Sequence, residues 1–132
     1  MGDAFAAEPW LSIQGDRNSG CVYAEWKRFA NSSEFRTSTR RILDAIRAIG
    51  ARSLVSDNRR LEGVADQDQL WIRDTWTPLA VDAGLRRIAV VVPQRGLGRI
   101  AAEQILSQVA MKAFLTRTFT TVSEAMEWAA ET

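Results

Sequence analysis

The residues of this chain whose types and spacing could do chemistry are few, and they follow short apolar runs. Asp57, Asn58 and Arg59 come after the strand-forming run Ser53–Asp57, while Arg95 and Arg99 flank two glycines in Pro93-Gln94-Arg95-Gly96-Leu97-Gly98-Arg99, after a second run over 87–92. Gathered at the carboxyl ends of neighbouring strands, Asp57, Asn58, Arg59, Arg95 and Arg99 would stand where open α/β sheets bind ligands. Arginines beside a glycine-bearing turn suit an anion such as a phosphate or carboxylate. The turn has neither the Gly-x-Gly-x-x-Gly pattern nor the lysine of a phosphate loop, so an ordinary turn is the competing reading. For Asp57 beside Arg59 the competing reading is a structural ion pair that holds the loop.

Composition narrows the chemistry further. The chain has no histidine and one cysteine, Cys21. No nucleophile stands beside a base, so hydrolysis has no machinery here. A single cysteine excludes an internal disulfide and any multi-cysteine metal site. The chain is therefore read as non-enzymatic, with no catalytic residues, no metal and no cofactor. A net charge of +1 provides no field to gather nucleic acid. The longest apolar run, 88–92, is too short for an integral membrane segment, and the first nine residues lack the pattern of a signal peptide. These features, with the single cysteine, set the expectation of a soluble cytoplasmic protein.

At 132 residues the chain has the length of one domain with one core. Residues 10–14 and Cys21–Trp26 read as an antiparallel hairpin around Gly15-Asp16-Arg17-Asn18-Ser19-Gly20. Val22, Ala24 and Trp26 share one face of the second strand, with Tyr23, Glu25 and Lys27 on the other. The first helix starts at Asn31, with Glu34 completing a capping box. Phe35, Thr39, Ile42, Leu43, Ile46 and Ile49 form its apolar stripe, and Gly50 stops it. Its basic side, Arg36, Arg40, Arg41 and Arg47, reads as a solvated surface. Whether Arg36 meets Asp57 is left open by the sequence.

Ser53–Asp57 reads as a parallel strand and 87–92 as a central one. Between them, Asp66 with Gln69 would cap a second helix whose stripe is Ile72, Trp76, Leu79, Ala80 and Ala83, ending at Gly84. Pro78 inside it removes a backbone donor and predicts a kink near Asp74. Residues 100–109 read as a third helix and 113–119 as a fifth strand. Thr121 and Glu124 start a last helix, with Val122, Ala125, Met126 and Ala129 inside. The expected fold is α/β: a mixed, mostly parallel five-stranded sheet with about four helices, in the order ββαβαβαβα.

The second helix carries a further signal. Leu70, Trp71, Pro78 and Val81 fall roughly opposite the main stripe, which gives the helix two apolar sides and predicts two neighbours. One is the sheet. The other could be the chain's own N-terminal segment, an apolar ligand or a second subunit, and aromatic anchors favour interfaces.

Taken together, Trp26, Phe29-Ala30-Asn31-Ser32-Ser33-Glu34-Phe35-Arg36, Asp57-Asn58-Arg59, Gln69-Leu70-Trp71-Ile72 with Trp76 and Pro78, Gly84-Leu85-Arg86-Arg87-Ile88-Ala89, and Phe119 with Glu124-Ala125-Met126-Glu127-Trp128 resemble the SpoIIAA-like family of small bacterial STAS-type domains. The resemblance spans about 10–130. It implies the mixed sheet reached above and a domain that binds rather than catalyses. STAS relatives include anti-sigma-factor antagonists, and the fold is similar to that of CRAL-TRIO lipid carriers. The antagonists are switched by phosphorylation of a serine in the loop before the second helix. Residues 61–69 contain neither serine nor threonine, and Asp66 and Asp68 are the nearest chemical substitutes, so no such switch is expected.

Two functions remain. One is a protein-interaction or regulatory module, with a protein partner or a homodimer contact built on Leu70, Trp71, Trp76, Pro78 and Val81. The alternative is a carrier or sensor of a small apolar or acyl ligand beneath the second helix, with an anionic head near Arg59, Arg95 or Arg99.

Overall fold

The computed structural model describes residues 2–96, 100 and 113–131. Its centre is a six-stranded mixed sheet in sequential order: β1 (Asp3–Glu8), β2 (Leu11–Asp16), β3 (Cys21–Trp26), β4 (Ser53–Asp57), β5 (Arg87–Val91) and β6 (Leu115–Phe119). The pairs β1–β2 and β2–β3 are antiparallel, and the three pairs from β3 to β6 are parallel. The predicted α/β class and mixed sheet are present, but the strand count was one short.

The missing strand is β1. Its sequence, Asp-Ala-Phe-Ala-Ala-Glu, carries three alanines and no β-branched residue, so its local strand signal is weak. Pairing to the free edge of β2 orders it. The register shifts between Ala4 and Ala6, leaving Phe5 as the extra residue. Phe5 uses room that only glycine leaves on β2, since a Cβ at Gly15 would lie 2.8 Å from Phe5 Cε2 and 3.1 Å from Ile49 Cδ1.

Helix α1 (Ser32–Ile49) forms as its caps dictate. Asn31 Oδ1 accepts from the Glu34 N–H at 2.9 Å, and Glu34 Oε1 accepts from the Asn31 N–H at 3.1 Å. At the other end Gly50 takes the left-handed conformation, φ 63°, which an L side chain rarely adopts. Phe35, Thr39, Ile42, Leu43 and Ile46 are buried as expected.

The second helical rod consists of α2 (Asp66–Trp71), a π turn (Ile72–Trp76) and α3 (Thr77–Asp82). It departs from expectation at both ends. Asp66 does not cap it. Ala65 holds the cap position without a side-chain bond, and Gln69 instead donates to the Val64 carbonyl at 2.8 Å. Further on, Pro78 has no N–H to offer the Asp74 carbonyl, and the rod accommodates this with the wider π turn around Asp74. In that turn the Thr77 N–H reaches back five residues to the Ile72 carbonyl. Thr77 thereby comes over Ile72 and joins Trp76 and Ala80 on the buried face, while Leu79, expected inside, is turned out to 41% exposure.

Helix α4 (Val122–Ala130) starts at Thr121, whose side chain accepts from the Glu124 N–H as predicted. Ala125 and Ala129 are buried, and Val122 and Met126 pack against them. The expected third helix over 100–109 falls on residues outside those described, except position 100. Among the described residues no helix is long and apolar enough to cross a membrane.

The sheet has a core on each face. The larger packs α1 and the second rod against Val22, Ala24, Trp26, Leu54, Ile88 and Val90. The smaller packs α4 against Cys21, Val55, Ala89 and Val91. Consecutive right-handed crossovers that step in one direction along a sheet leave their helices on one face, which accounts for α1 and the second rod lying together.

Candidate functional site

A strand sends alternate side chains to opposite faces, and β4 therefore divides the expected Asp57-Asn58-Arg59 cluster. Asp57 is buried on the α4 face, where the Arg59 guanidinium grips it in a fork: Nε to Oδ1 at 2.9 Å and Nη2 to Oδ2 at 2.7 Å. The Arg59 N–H also donates to Oδ1 at 3.2 Å, closing a local loop. Bonding to Asp57 raises the Arg59 pKa, and burial together with the Asp57 and Glu25 charges pushes the Tyr23 hydroxyl up to about 12. Arg59 is thus committed to Asp57. Arg95 is exposed in the bend after β5, and among the described residues no hydrogen bond or ion pair joins it to Asp57, Asn58 or Arg59. Arg99 lies outside the described residues.

Asn58 turns to the other face, over a cleft of about 100 Å³ between the sheet and the helices. Trp26, Leu54, Ser56, Ile88 and Val90 form its sheet side. Phe35, Thr39 and Ile42 of α1, Ile72 and Trp76 of the second rod, and Leu61 and Val64 of the intervening loop close it. Trp26 stacks on Phe35 with ring centroids 5.5 Å apart, which fixes one wall. None of the described lining residues titrates.

The cleft is largely apolar: apart from Thr39, whose hydroxyl donates to the Arg36 carbonyl at 3.0 Å, the polar side chains of its lining form one line on the sheet side. Trp26 Nε1–H donates to Ser56 Oγ at 3.3 Å, and the Ser56 hydroxyl donates to Asn58 Oδ1 at 2.6 Å. The Asn58 backbone is held at the same time, its N–H donating to the Val91 carbonyl at 2.9 Å and its carbonyl accepting from the Leu61 N–H at 3.2 Å.

The second rod is fastened over the cleft by polar contacts with α1. Asp68 is 2% exposed and accepts from Ser32 Oγ at 2.6 Å and Arg36 Nε at 2.8 Å. Arg36 therefore meets Asp68 and not Asp57, and Asp68 is a buried tether, not a surface charge standing in for a phosphate. The Arg36 and Arg40 guanidiniums lie 5.3 and 5.4 Å from the Trp71 ring centroid, near enough for cation–π attraction. Arg41 reaches Glu8 at 3.1 Å. The basic side of α1, expected to be solvated, is largely taken up by contacts within the chain.

Of the five apolar residues expected at a partner or pocket surface, Trp76 alone lines the cleft. It is buried, and its indole N–H donates to the Thr39 carbonyl at 2.7 Å. Trp71 is half-buried under the α1 arginines, not beneath the N-terminal segment. Leu70, Pro78 and Val81 are exposed. Asn58, expected as a ligand-binding residue, lines the cleft, and the neighbours on its strand that sequence reasoning missed had a usable signal: Leu54 and Ser56 alternate with it along the chain, opposite the inward stripe of α1.

No protein-family model matches the chain, and no curated protein matches it significantly.

Proposed function

We propose that this chain is a non-catalytic binding domain of the SpoIIAA-like type that holds a small apolar molecule in the cleft beneath the second rod. The observation that carries this reading is a concave apolar space edged by a short line of polar groups, the usual build of a small-molecule site. Its non-titrating described lining favours binding over acid–base chemistry. The volume selects the size of the occupant: an engineered apolar cavity of about 150 Å³ accepts benzene, so a molecule near one ring suits this space better than a long acyl chain. Arg59, already held by Asp57, is a poor receptor for an anionic head. The single cysteine and the short apolar runs of the sequence support a soluble cytoplasmic protein, and the sequence resemblance a bacterial one.

Titration of the ¹⁵N-labelled chain with small aromatic probes tests the proposal. Binding should shift the indole N–H signals of Trp26 and Trp76 saturably, and Ile42→Phe, which fills the cleft, should weaken it at least tenfold. Unmoved signals at millimolar probe would refute it.

A second reading, a protein-interaction module that pairs with another copy of itself, draws on the exposure of Leu70, Leu79 and Val81, at 45%, 41% and 36%. Light scattering of wild type against Leu70→Glu and Val81→Glu decides it. A doubled mass that falls to the monomer value in the variants supports it, and an unchanged monomeric mass in all three removes it.

A further inference from the structure

We infer that the occupant of the cleft carries a hydrogen-bond acceptor, a carbonyl or ether oxygen on a ring-sized apolar frame, and that the Asn58 side-chain amide is the group that selects for it. The inference rests on the cleft being a ligand site and adds the chemistry of the ligand.

The argument follows the direction of the polar line. An indole N–H can only donate, so at 3.3 Å Ser56 Oγ must accept from Trp26. The Ser56 hydroxyl hydrogen is then free to go to Asn58. The 2.6 Å separation is short for N–H···O and ordinary for O–H···O, which identifies the Asn58 atom facing Ser56 as the amide oxygen. With Oδ1 so engaged, the Nδ2 group is the outward end of the line, and among the described residues nothing accepts from it. Each bond in such a chain polarises the next, which makes the terminal N–H a better donor. The backbone bonds of Asn58 to Val91 and Leu61 fix the main chain from which the side chain projects, and the bond from Ser56 to Oδ1 sets which end of the amide faces the serine.

A ligand with an acceptor oxygen would complete the line. A ligand that presents only a donor would leave Nδ2 without a partner and place two donors together. The apolar floor of Leu54, Ile88 and Val90 has no polar group to offer as an alternative.

Acetophenone and α-methylstyrene have the same shape and differ by one oxygen against one methylene, so they isolate this contact. Dissociation constants for each are measured by NMR titration on wild type and on Asn58→Leu. The preference for acetophenone over α-methylstyrene should fall about fivefold in the variant, the effect of one neutral hydrogen bond. Asn58→Asp retains the acceptor for Ser56 but has no side-chain donor. It should lower the preference likewise, and serves if the leucine variant does not fold. An unchanged preference in the folded variant, with both probes still binding, overturns the acceptor inference and leaves the cleft as a ligand site. Failure of both probes to bind wild type overturns the two together.

Discussion

Asp57 and Asn58 are consecutive in the chain and serve opposite faces of the sheet: the carboxylate closes a loop on the α4 side, and the amide points into the cleft on the α1 side. A run of residues that reads as one cluster thus does two unrelated jobs. The separation follows from the two-residue period of a strand.

The first job is structural. Asp57 is 4% exposed at its side chain and Arg59 44%, so truncating the arginine strands a buried charge. Arg59→Ala should destabilise the fold by about 1–3 kcal/mol, discounted for the solvent that reaches Arg59. Urea denaturation measures this. Aromatic probes in the cleft should keep their affinity within twofold, because the pair lies on the other face.

Asp68 supports a second prediction. Its carboxylate is buried between Ser32 and Arg36, and Arg36→Ala would leave it with one hydroxyl donor. About 2–3 kcal/mol should be lost, the cost of an underpaired buried charge. The loss should be local before it is global. Hydrogen exchange should quicken most in 66–82, the segment fastened by this contact, and in α4 only by the fall in global stability. Uniform quickening in both segments would show that the rod is not separately tethered.

How much of this was legible depended on how local each cause was. Asn31 with Glu34, and Gly50 eighteen residues after Ser32, mark both ends of α1 because capping is settled within a few residues. Ser53–Asp57 was bounded correctly for the same reason. The strand β1 was not, since it is ordered by an edge supplied from elsewhere, and its three alanines carry no signal of that. Asp66 has the spacing of a capping box, yet the rod begins a residue earlier, with Gln69 bonded to Val64 and Asp68 drawn to α1. The π turn was foreshadowed by Pro78, but a proline shows that a ladder bond is missing without showing how the helix will respond. The cleft was least legible: it is space left between Trp26, Phe35, Ile72 and Trp76 after packing, and no local pattern encodes such a remainder.

Alkaline pH tests the smaller core. Burial among Val55, Ala89 and Ala125 raises the Cys21 thiol from 9.0 to about 11. The folded thiol stays protonated where the unfolded one ionises, so its contribution to stability is whole below pH 9 and is lost as the pH rises to 11. A two-unit separation corresponds to roughly 2.7 kcal/mol. Stability by urea denaturation should therefore fall between pH 9 and 11, and Cys21→Ala should flatten that slope while lowering stability at neutral pH. Tyr23, raised to about 12, leaves a residual slope above pH 10 in the variant. Parallel slopes in the two proteins would show that the thiol is not the titrating group.

Thr77 allows a test of opposite sign, because here a substitution should stabilise. Its Oγ1 is buried without a hydrogen-bond partner, the one such side-chain atom among the described residues. The position is drawn inward by the π turn, in which the Thr77 N–H bonds to the Ile72 carbonyl, so it is packed as an apolar site. An unpaired buried hydroxyl costs on the order of 1–3 kcal/mol. Valine keeps the branched shape and removes the polar atom, so Thr77→Val should raise stability by about 1 kcal/mol, read as a higher urea midpoint at unchanged slope. Thr77→Ser keeps the hydroxyl and loses the methyl group, and should lower the midpoint. If valine lowers it as well, the hydroxyl is hydrogen-bonded in solution, and the π turn places a satisfied polar group, not an apolar one, beneath the second rod.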